Sequence, residues 1–149
     1  MKIGFLGLGV MGLPMAKNLV KRSGCPVMGF DVVPAQVESF RAAGGIAAKD
    51  AVEIYKTCDV IMQILPTHPI IIDSVEQAIR YGKPGNIIVD LSSTAPDIIL
   101  DLYEKAEAAG MSLLDSPISG GNPMAIAGTL AIMTGGGREA FEAVKPLLS

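Results

Sequence analysis

Three glycines close to the amino terminus have the spacing of a loop that binds phosphate. Gly7, Gly9 and Gly12 form a G-x-G-x-x-G pattern within the segment GFLGLGVMGLPMAKNL. In such a loop the first glycine permits a tight turn, the second lets the backbone approach a pyrophosphate, and the third lets the next helix pack close to the sheet. Backbone N–H groups and the positive end of that helix then bind the phosphates without any cationic side chain. The residues predicted to contact a dinucleotide are Gly7, Leu8, Gly9, Val10, Met11 and Gly12.

Asp31, the acidic residue that closes the segment VMGFD, is the second candidate for this site. A carboxylate about twenty residues beyond the glycines can accept hydrogen bonds from the adenosine ribose, and it would repel a 2′-phosphate. Val32, Val33 and Pro34 follow it, so no arginine is available there for such a phosphate. The sequence therefore favours NAD over NADP. Asp31 could also serve as the residue that begins a helix at Pro34, and the two roles are compatible.

A glycine-rich turn without a ligand is the alternative interpretation of the first motif. A predicted strand before the glycines, a predicted helix after them and an acidic residue at the end of the next strand together disfavour it.

The elements that must position these residues alternate between apolar runs and amphipathic stretches. The runs KIGFLG, PVMGFD, CDVIMQIL, IIVDLSS, SLLDSP and TLAIMTGG predict strands, with a weaker strand over residues 46–48. Helices are predicted over VMGLPMAKNLVKR, PAQVESFRAAGG, residues 70–81, PDIILDLYEKAEAAG and REAFEAVKPLL. This alternation predicts a Rossmann-type, doubly wound α/β fold, in which a mostly parallel sheet carries helices on both faces. TLAIMTGG is expected to run antiparallel at one edge, since the segment before it holds at most one short helix. No repeat or linker divides residues 1–149, which predicts a single domain.

Composition narrows the classes of partner and compartment. Half of the residues are hydrophobic, 18% are charged and the formal net charge is -3, with lysine and arginine scattered along the chain. Neither nucleic acid nor a membrane is therefore expected as a partner, and no apolar run approaches the roughly 18 residues of a membrane span. Cys25 and Cys58 are isolated and the chain has one histidine, so we expect no metal site, no disulfide and a cytoplasmic location. The amino terminus also lacks the features of a signal peptide.

Four spaced motifs resemble the amino-terminal domain of the β-hydroxyacid dehydrogenases, the family of 3-hydroxyisobutyrate dehydrogenase, tartronate semialdehyde reductase and relatives of 6-phosphogluconate dehydrogenase. The motifs are GFLGLGVMGLPMAKNL, ILPT, DLSSTAP and DSPISGGNPMAIAGTLAIMTGG, and they extend over nearly the whole chain. The resemblance implies an oxidoreductase that transfers a hydride between NAD and the β-carbon of a small 3-hydroxy acid, of the 3-hydroxyisobutyrate or tartronate semialdehyde type. It also implies that the full-length protein is a homo-oligomer.

The resemblance further implies roles for residues outside the glycine loop. Leu65 and Pro66 are expected to wall the cofactor site, and Ser93 is expected to reach the nicotinamide half of the cofactor. The alternatives are an ordinary strand end for the first two and a helix N-cap region before Pro96 for Ser93. A clamp for the substrate carboxylate is expected in the last motif, where a plain turn is the alternative. The residues of this clamp are Ser119, Gly120 and Gly121, with Asn122 close by.

No residue of this chain is a good candidate for the acid–base group. His68 lies between Thr67 and Pro69 and is expected to be an exposed loop residue. The resemblance implies that a lysine handles the hydroxyl proton and lies, with an asparagine, in an all-helical second domain that would follow Ser149. The chain is therefore expected to supply half of a site and no catalytic residue. Two alternatives stay open, a stand-alone dinucleotide-binding module without catalysis and an imine-reducing relative with a different catalytic residue.

Overall fold

The computed structural model describes all 149 residues, and a six-stranded parallel sheet forms its centre. The strands are β1 (Ile3–Leu6), β2 (Val27–Phe30), β3 (Ile46–Ala47), β4 (Val60–Gln63), β5 (Ile87–Asp90) and β6 (Ser112–Asp115). Their order across the sheet is β3-β2-β1-β4-β5-β6, so the winding reverses between β1 and β4. This arrangement confirms the predicted doubly wound, Rossmann-type fold.

Helices cover both faces of the sheet. They are α1 (Gly12–Arg22), α2 (Pro34–Ala42), α3 (Ala51–Thr57), α4 (His68–Tyr81), α5 (Pro96–Ala108), α6 (Gly121–Ala127) and α7 (Arg138–Leu148). One buried cluster includes Ile54, Ile71 and Leu102, which lie on α3, α4 and α5. The other includes Phe40 of α2 and Val144 of α7. The central strands contribute to both clusters, which explains why their sequences are continuous apolar runs. None of the helices has the length and apolar character needed to cross a membrane.

The last predicted strand belongs to a small antiparallel sheet. β7 (Ile118–Ser119) pairs with β8 (Ala131–Ile132) in an antiparallel sense. An isolated antiparallel bridge between Asp115 and Gly135 joins this ribbon to the end of β6. The segment TLAIMTGG therefore runs antiparallel, as predicted, but most of its pairing is with β7 and only one bridge reaches the six-stranded sheet.

Helix α3 is not among the predicted elements, because its seven residues are too few to show the apolar period of a helix. Its start nevertheless carries a sequence signal. The Asp50 carboxylate accepts a hydrogen bond from the Glu53 N–H at 2.9 Å, and the Glu53 carboxylate accepts one from the Lys49 N–H at 2.7 Å. Acidic residues three positions apart are typical of a capped helix start. Helix α4 also begins earlier than expected, at His68, so this exposed histidine is the first residue of a helix and not part of a loop.

Three neighbouring strands end in polar residues that lie beside one another. Gln63, Asp90 and Asp115 are the last residues of β4, β5 and β6 and pair in register. One carboxylate oxygen of Asp115 is buried without a hydrogen-bond partner. Burial, and after it the charge of Asp90, raises the pKa of Asp115 above its ordinary value. Ionised Asp115 therefore opposes folding.

Replacing Asp115 with asparagine is expected to raise the melting temperature at neutral pH. A carboxyl group with a raised pKa in the folded state contributes stability below its ordinary pKa of 3.8, and this contribution is lost as the pH rises through the raised value. The gain in Asp115→Asn should therefore be present at neutral pH and shrink in acid. Thermal denaturation across this range measures it, with Glu104→Gln on the exposed face of α5 as the control. A gain that grew in acid would contradict the expectation.

Candidate functional site

The glycine loop lies against the end of β4 because two of its residues lack a side chain. Gly7 has a φ of +91°, and a Cβ there would overlap the carbonyl oxygen of Ile64. A Cβ on Gly12 would overlap the carbonyl oxygen of Gly7. Gly9 differs, since no atom lies within 4 Å of its Cβ position. Gly7 and Gly12 therefore shape the loop, whereas Gly9 leaves open space beside the backbone.

Unpaired backbone donors cluster at the start of α1. The N–H groups of Gly9, Val10 and Met11 donate to no backbone carbonyl. Met11 is the N-cap residue but provides no capping side-chain bond, and the first turn contains no acidic residue. The start of α3 differs, because the Asp50 carboxylate caps it. The α1 terminus therefore keeps its donors and its positive dipole available for an anion, which is what a pyrophosphate requires.

Asp31 is fixed beside this loop through both carboxylate oxygens. One oxygen accepts a hydrogen bond from the Leu8 N–H at 2.8 Å, and the other accepts one from the Val33 N–H at 2.8 Å. The Leu8 side chain is buried, and its N–H is used within the chain. Leu8 therefore supports the loop from inside, and it has no free N–H to offer a phosphate.

The cavity beside the loop contains acidic side chains and no basic ones. Its walls include Asp31, Val32, Ile70, Asp73 and Gln77, and no lysine, arginine or histidine lines it. A 2′-phosphate would meet negative charge without a cation to bind it, whereas ribose hydroxyls could donate to Asp31. The electrostatics of the cavity agree with the preference for NAD expected from the sequence.

A second cavity adjoins the first at the ends of β4 and β5. It is lined by Met11 of the glycine loop, by Leu65 and Pro66 after β4, and by Ser93 after β5. The two cavities share Met11, Ile64, Leu65 and Pro66. Ser93 and Pro66 are exposed and Leu65 is half-buried, so all three are accessible to a ligand. His68, for which the sequence analysis predicts no role, also lines this cavity.

The segment expected to clamp a carboxylate lies next to the glycine loop. Ser119 ends β7, and Gly120 and Gly121 have φ values of 135° and 72°. The Asn122 side chain donates a hydrogen bond to the Val10 carbonyl oxygen at 2.8 Å. Asn122 therefore ties the two loops together.

Helix α6, which begins at this segment, is fastened to α1. Asn18 donates to the Ala125 carbonyl oxygen at 2.9 Å, and Arg22 donates to the Ala127 carbonyl oxygen at 3.1 Å. The expected cofactor and substrate ends are thus parts of one connected unit.

The side chains that hold the loops after β4 and β5 are not among the predicted site residues. Asp90, Ser92 and Gln63 are buried polar residues at the ends of these strands. A single polar residue within an otherwise apolar run, as Gln63 in VIMQIL and Asp90 in IIVDL, is the signal that could have identified two of them.

Known dehydrogenases are similar to this chain over almost its entire length. The 2-(hydroxymethyl)glutarate dehydrogenase of Eubacterium barkeri is 38% identical, over 99% of this chain and 50% of the relative. The NAD-dependent L-serine dehydrogenase of Pseudomonas aeruginosa is 37% identical, over 98% of this chain and 50% of the relative. The chain therefore spans about half the length of the curated relatives it matches.

Solved structures have the same fold. The 3-hydroxyisobutyrate dehydrogenase of Mycobacterium tuberculosis, determined with L-serine, matches with a TM-score of 0.93 at 35% identity, over 99% of this chain and 50% of that chain. An imine reductase from Pseudomonas sp. matches with a TM-score of 0.87 at 20% identity, over 99% of this chain and 51% of that chain. The second likeness shows the fold alone.

A family model described as the NAD binding domain of 6-phosphogluconate dehydrogenase matches residues 2–149. The match includes every strand and helix from β1 to α7. Together with the dehydrogenase relatives, it confirms the predicted NAD-binding domain and the resemblance to the hydroxyacid dehydrogenases. The chain belongs to the family of the NAD binding domain of 6-phosphogluconate dehydrogenase.

Proposed function

We propose that this chain binds NAD and the carboxylate of a small 3-hydroxy acid as one half of a dehydrogenase site. The observation that carries the proposal is the set of unpaired N–H groups at Gly9, Val10 and Met11, beside a cavity that Asp31 borders. A pyrophosphate can accept from those N–H groups, and ribose hydroxyls can donate to Asp31. NAD, when bound, supplies the nicotinamide ring that exchanges a hydride with the β-carbon of the substrate.

The remaining predicted contacts divide between the two ends of the site. Leu65, Pro66 and Ser93 wall the cavity into which the nicotinamide half would extend from the phosphates. Ser119 is exposed, and Gly120 and Gly121 carry no side chain that would cover their N–H groups. A hydroxyl and neighbouring backbone N–H groups can hold a carboxylate without a cation.

The named relatives narrow the substrate class. Their names and bound ligand refer to 2-(hydroxymethyl)glutarate, 3-hydroxyisobutyrate and L-serine. Each of these compounds has a hydroxymethyl group on the carbon that bears a carboxylate. We therefore propose a 3-hydroxypropanoate with a substituent at its second carbon as the substrate of the complete enzyme.

The proton that leaves the substrate hydroxyl has no evident acceptor in this chain. Lys17 contacts Ser39 at 3.4 Å, and Lys83 pairs with Asp59 at 3.7 Å, so both lysines have partners outside the two cavities. His68 lines the second cavity but is exposed at the start of α4. We propose that a lysine in a second domain accepts this proton, in keeping with relatives about twice the length of the chain.

We also propose a cytoplasmic location and a homo-oligomeric state for the complete protein. Cys25 and Cys58 are free thiols, which suits a reducing compartment. The scattered positive charge supports a small-molecule partner over nucleic acid or a membrane surface. The oligomeric state rests on the resemblance to the dehydrogenases.

Gly9→Ala is expected to weaken NADH binding by at least about tenfold while changing the free energy of unfolding by no more than about 0.5 kcal/mol. The methyl group fits within the protein but occupies the space proposed for the pyrophosphate. Gly12→Ala is the contrasting variant, since its methyl group meets the Gly7 carbonyl and should destabilise the fold by about 1–3 kcal/mol. Calorimetry measures binding, and urea denaturation measures stability. Unchanged NADH affinity in Gly9→Ala would refute the proposed phosphate site.

Asp31→Ala combined with Val32→Arg is expected to shift the cofactor preference toward NADPH by about tenfold or more. The double change removes the charge that repels a 2′-phosphate and adds a cation beside it. Two controls separate these effects. Val32→Arg alone keeps the repulsion, and Asp31→Asn keeps an acceptor for the Leu8 N–H while removing the charge. If the ratio of NADH to NADPH affinity stayed the same, Asp31 would not lie at the ribose.

The chain alone is expected not to oxidise 3-hydroxyisobutyrate or L-serine with NAD, because the proposed proton acceptor lies elsewhere. A gene product about twice this length should do so. Formation of NADH, followed by its absorbance, measures both reactions. Turnover by the chain alone would place the acid–base group within it. Reduction of a cyclic imine by the longer product, with no oxidation of hydroxy acids, would favour the imine-reducing alternative.

A further inference from the structure

Asp90 is a completely buried carboxylate with no cationic partner. It is 0% exposed at the end of β5, and no lysine or arginine forms an ion pair with it. A charge removed from water in this way destabilises a protein unless hydrogen bonds compensate it. The bonds that Asp90 accepts therefore indicate why a carboxylate is kept at this position.

The first bonds fold the segment after β5 back onto the end of the strand. One oxygen of Asp90 accepts from the Ser92 N–H at 3.2 Å, and the other accepts from the Thr94 hydroxyl at 2.5 Å. Ser93 lies between these two anchored residues and is exposed. The same carboxylate thus fixes the backbone on both sides of the serine that lines the second cavity.

Further bonds join this segment to the loop after β4. The Gln63 side chain donates to Asp90 at 3.3 Å, and the Leu65 N–H donates to the Ser92 hydroxyl oxygen at 2.9 Å. Gln63 and Ser92 are themselves buried, at 0% and 3% exposed. The loops that carry Leu65 and Ser93 are therefore held at one separation by a network centred on Asp90.

We propose that Asp90 is a positioning residue for the nicotinamide end of the cofactor. Through Ser92, Thr94 and Gln63 it sets the distance between the loops whose Leu65 and Ser93 wall the second cavity. This role of Asp90 rests on the proposed function, because that function places the nicotinamide half of NAD in the second cavity. A carboxylate suits the task, since it accepts from all three donors at once and donates to none.

The experiment compares NADH with ADP-ribose, which lacks the nicotinamide ring. Thr94→Val removes one bond to Asp90, and Ser92→Ala removes the bond to Leu65. Each is expected to weaken NADH binding by about five- to tenfold and ADP-ribose binding by less than about twofold. The fluorescence of bound NADH should fall in both variants, because the ring is held less rigidly.

Two controls keep the result specific. Thr94→Ser retains the hydroxyl and should restore NADH affinity and fluorescence. Thr57→Val removes a hydroxyl that donates to the Glu53 carbonyl oxygen at the far end of α3, and it should leave both ligands unaffected. Melting temperatures show whether each variant is folded.

The possible results distinguish the positioning role of Asp90 from the proposed function on which it rests. An equal loss of NADH and ADP-ribose binding in Thr94→Val, or no loss at all, would overturn the positioning role. Failure of Thr94→Ser to restore binding would also count against it. If the unaltered chain bound ADP-ribose and NADH with equal affinity, the proposed place of the nicotinamide in the second cavity would be wrong. The proposed phosphate site would be unaffected by that result. If the chain bound neither ligand, the proposed function itself would fail.

Discussion

The absence of a Cβ at Gly7 and Gly12 is the constraint on which the candidate site depends. These two residues let the loop after β1 lie against the end of β4 without steric overlap. The loop can then enter α1 with the N–H groups of Gly9, Val10 and Met11 free of backbone acceptors. Asp31 and Asn122 both form hydrogen bonds to this loop, Asp31 with the Leu8 N–H and Asn122 with the Val10 carbonyl oxygen. A side chain at Gly7 or Gly12 would displace the loop to which Asp31 and Asn122 are hydrogen-bonded.

The cavity beside the glycine loop is bordered by negative side chains and by no positive ones. No lysine or arginine lines the cavity beside the loop, and two carboxylates, Asp31 and Asp73, do. In the proposed function, attraction for phosphate therefore comes from backbone dipoles at the start of α1, which act over a short range and select for position. The start of α3 differs, because the Asp50 carboxylate accepts a hydrogen bond from the Glu53 N–H and places a negative charge there. The start of α1 is therefore open to an anion, whereas the start of α3 is capped by a carboxylate of the chain itself.

The sequence predicts the sheet well because strands buried on both faces are continuous apolar runs with turn residues between them. It also predicts the glycine loop, since the steric demands on Gly7 and Gly12 act over a few residues. Helix α3 is not predicted, because seven residues are too few to show the apolar period of a helix. The Asn122–Val10 bond has no local signature at all, since 112 positions separate the two residues.

The buried network is hidden from the sequence for a related reason. Asp90 and Gln63 each appear as one polar residue within an apolar run, and only the sheet register reveals that they are neighbours.

The attachment of α6 to the first helix has a consequence for how the protein is made. On a ribosome the glycine loop and α1 emerge first, whereas the residues that brace them, Asn122 among them, emerge 112 positions later than Val10. Closing a loop of this length costs conformational entropy before the contact contributes to stability. The loop in the nascent chain therefore lacks this hydrogen bond until 112 further residues have been added after Val10. The proposed nucleotide site and the Asn122 side chain that binds its loop come together only after most of these 149 residues have been translated.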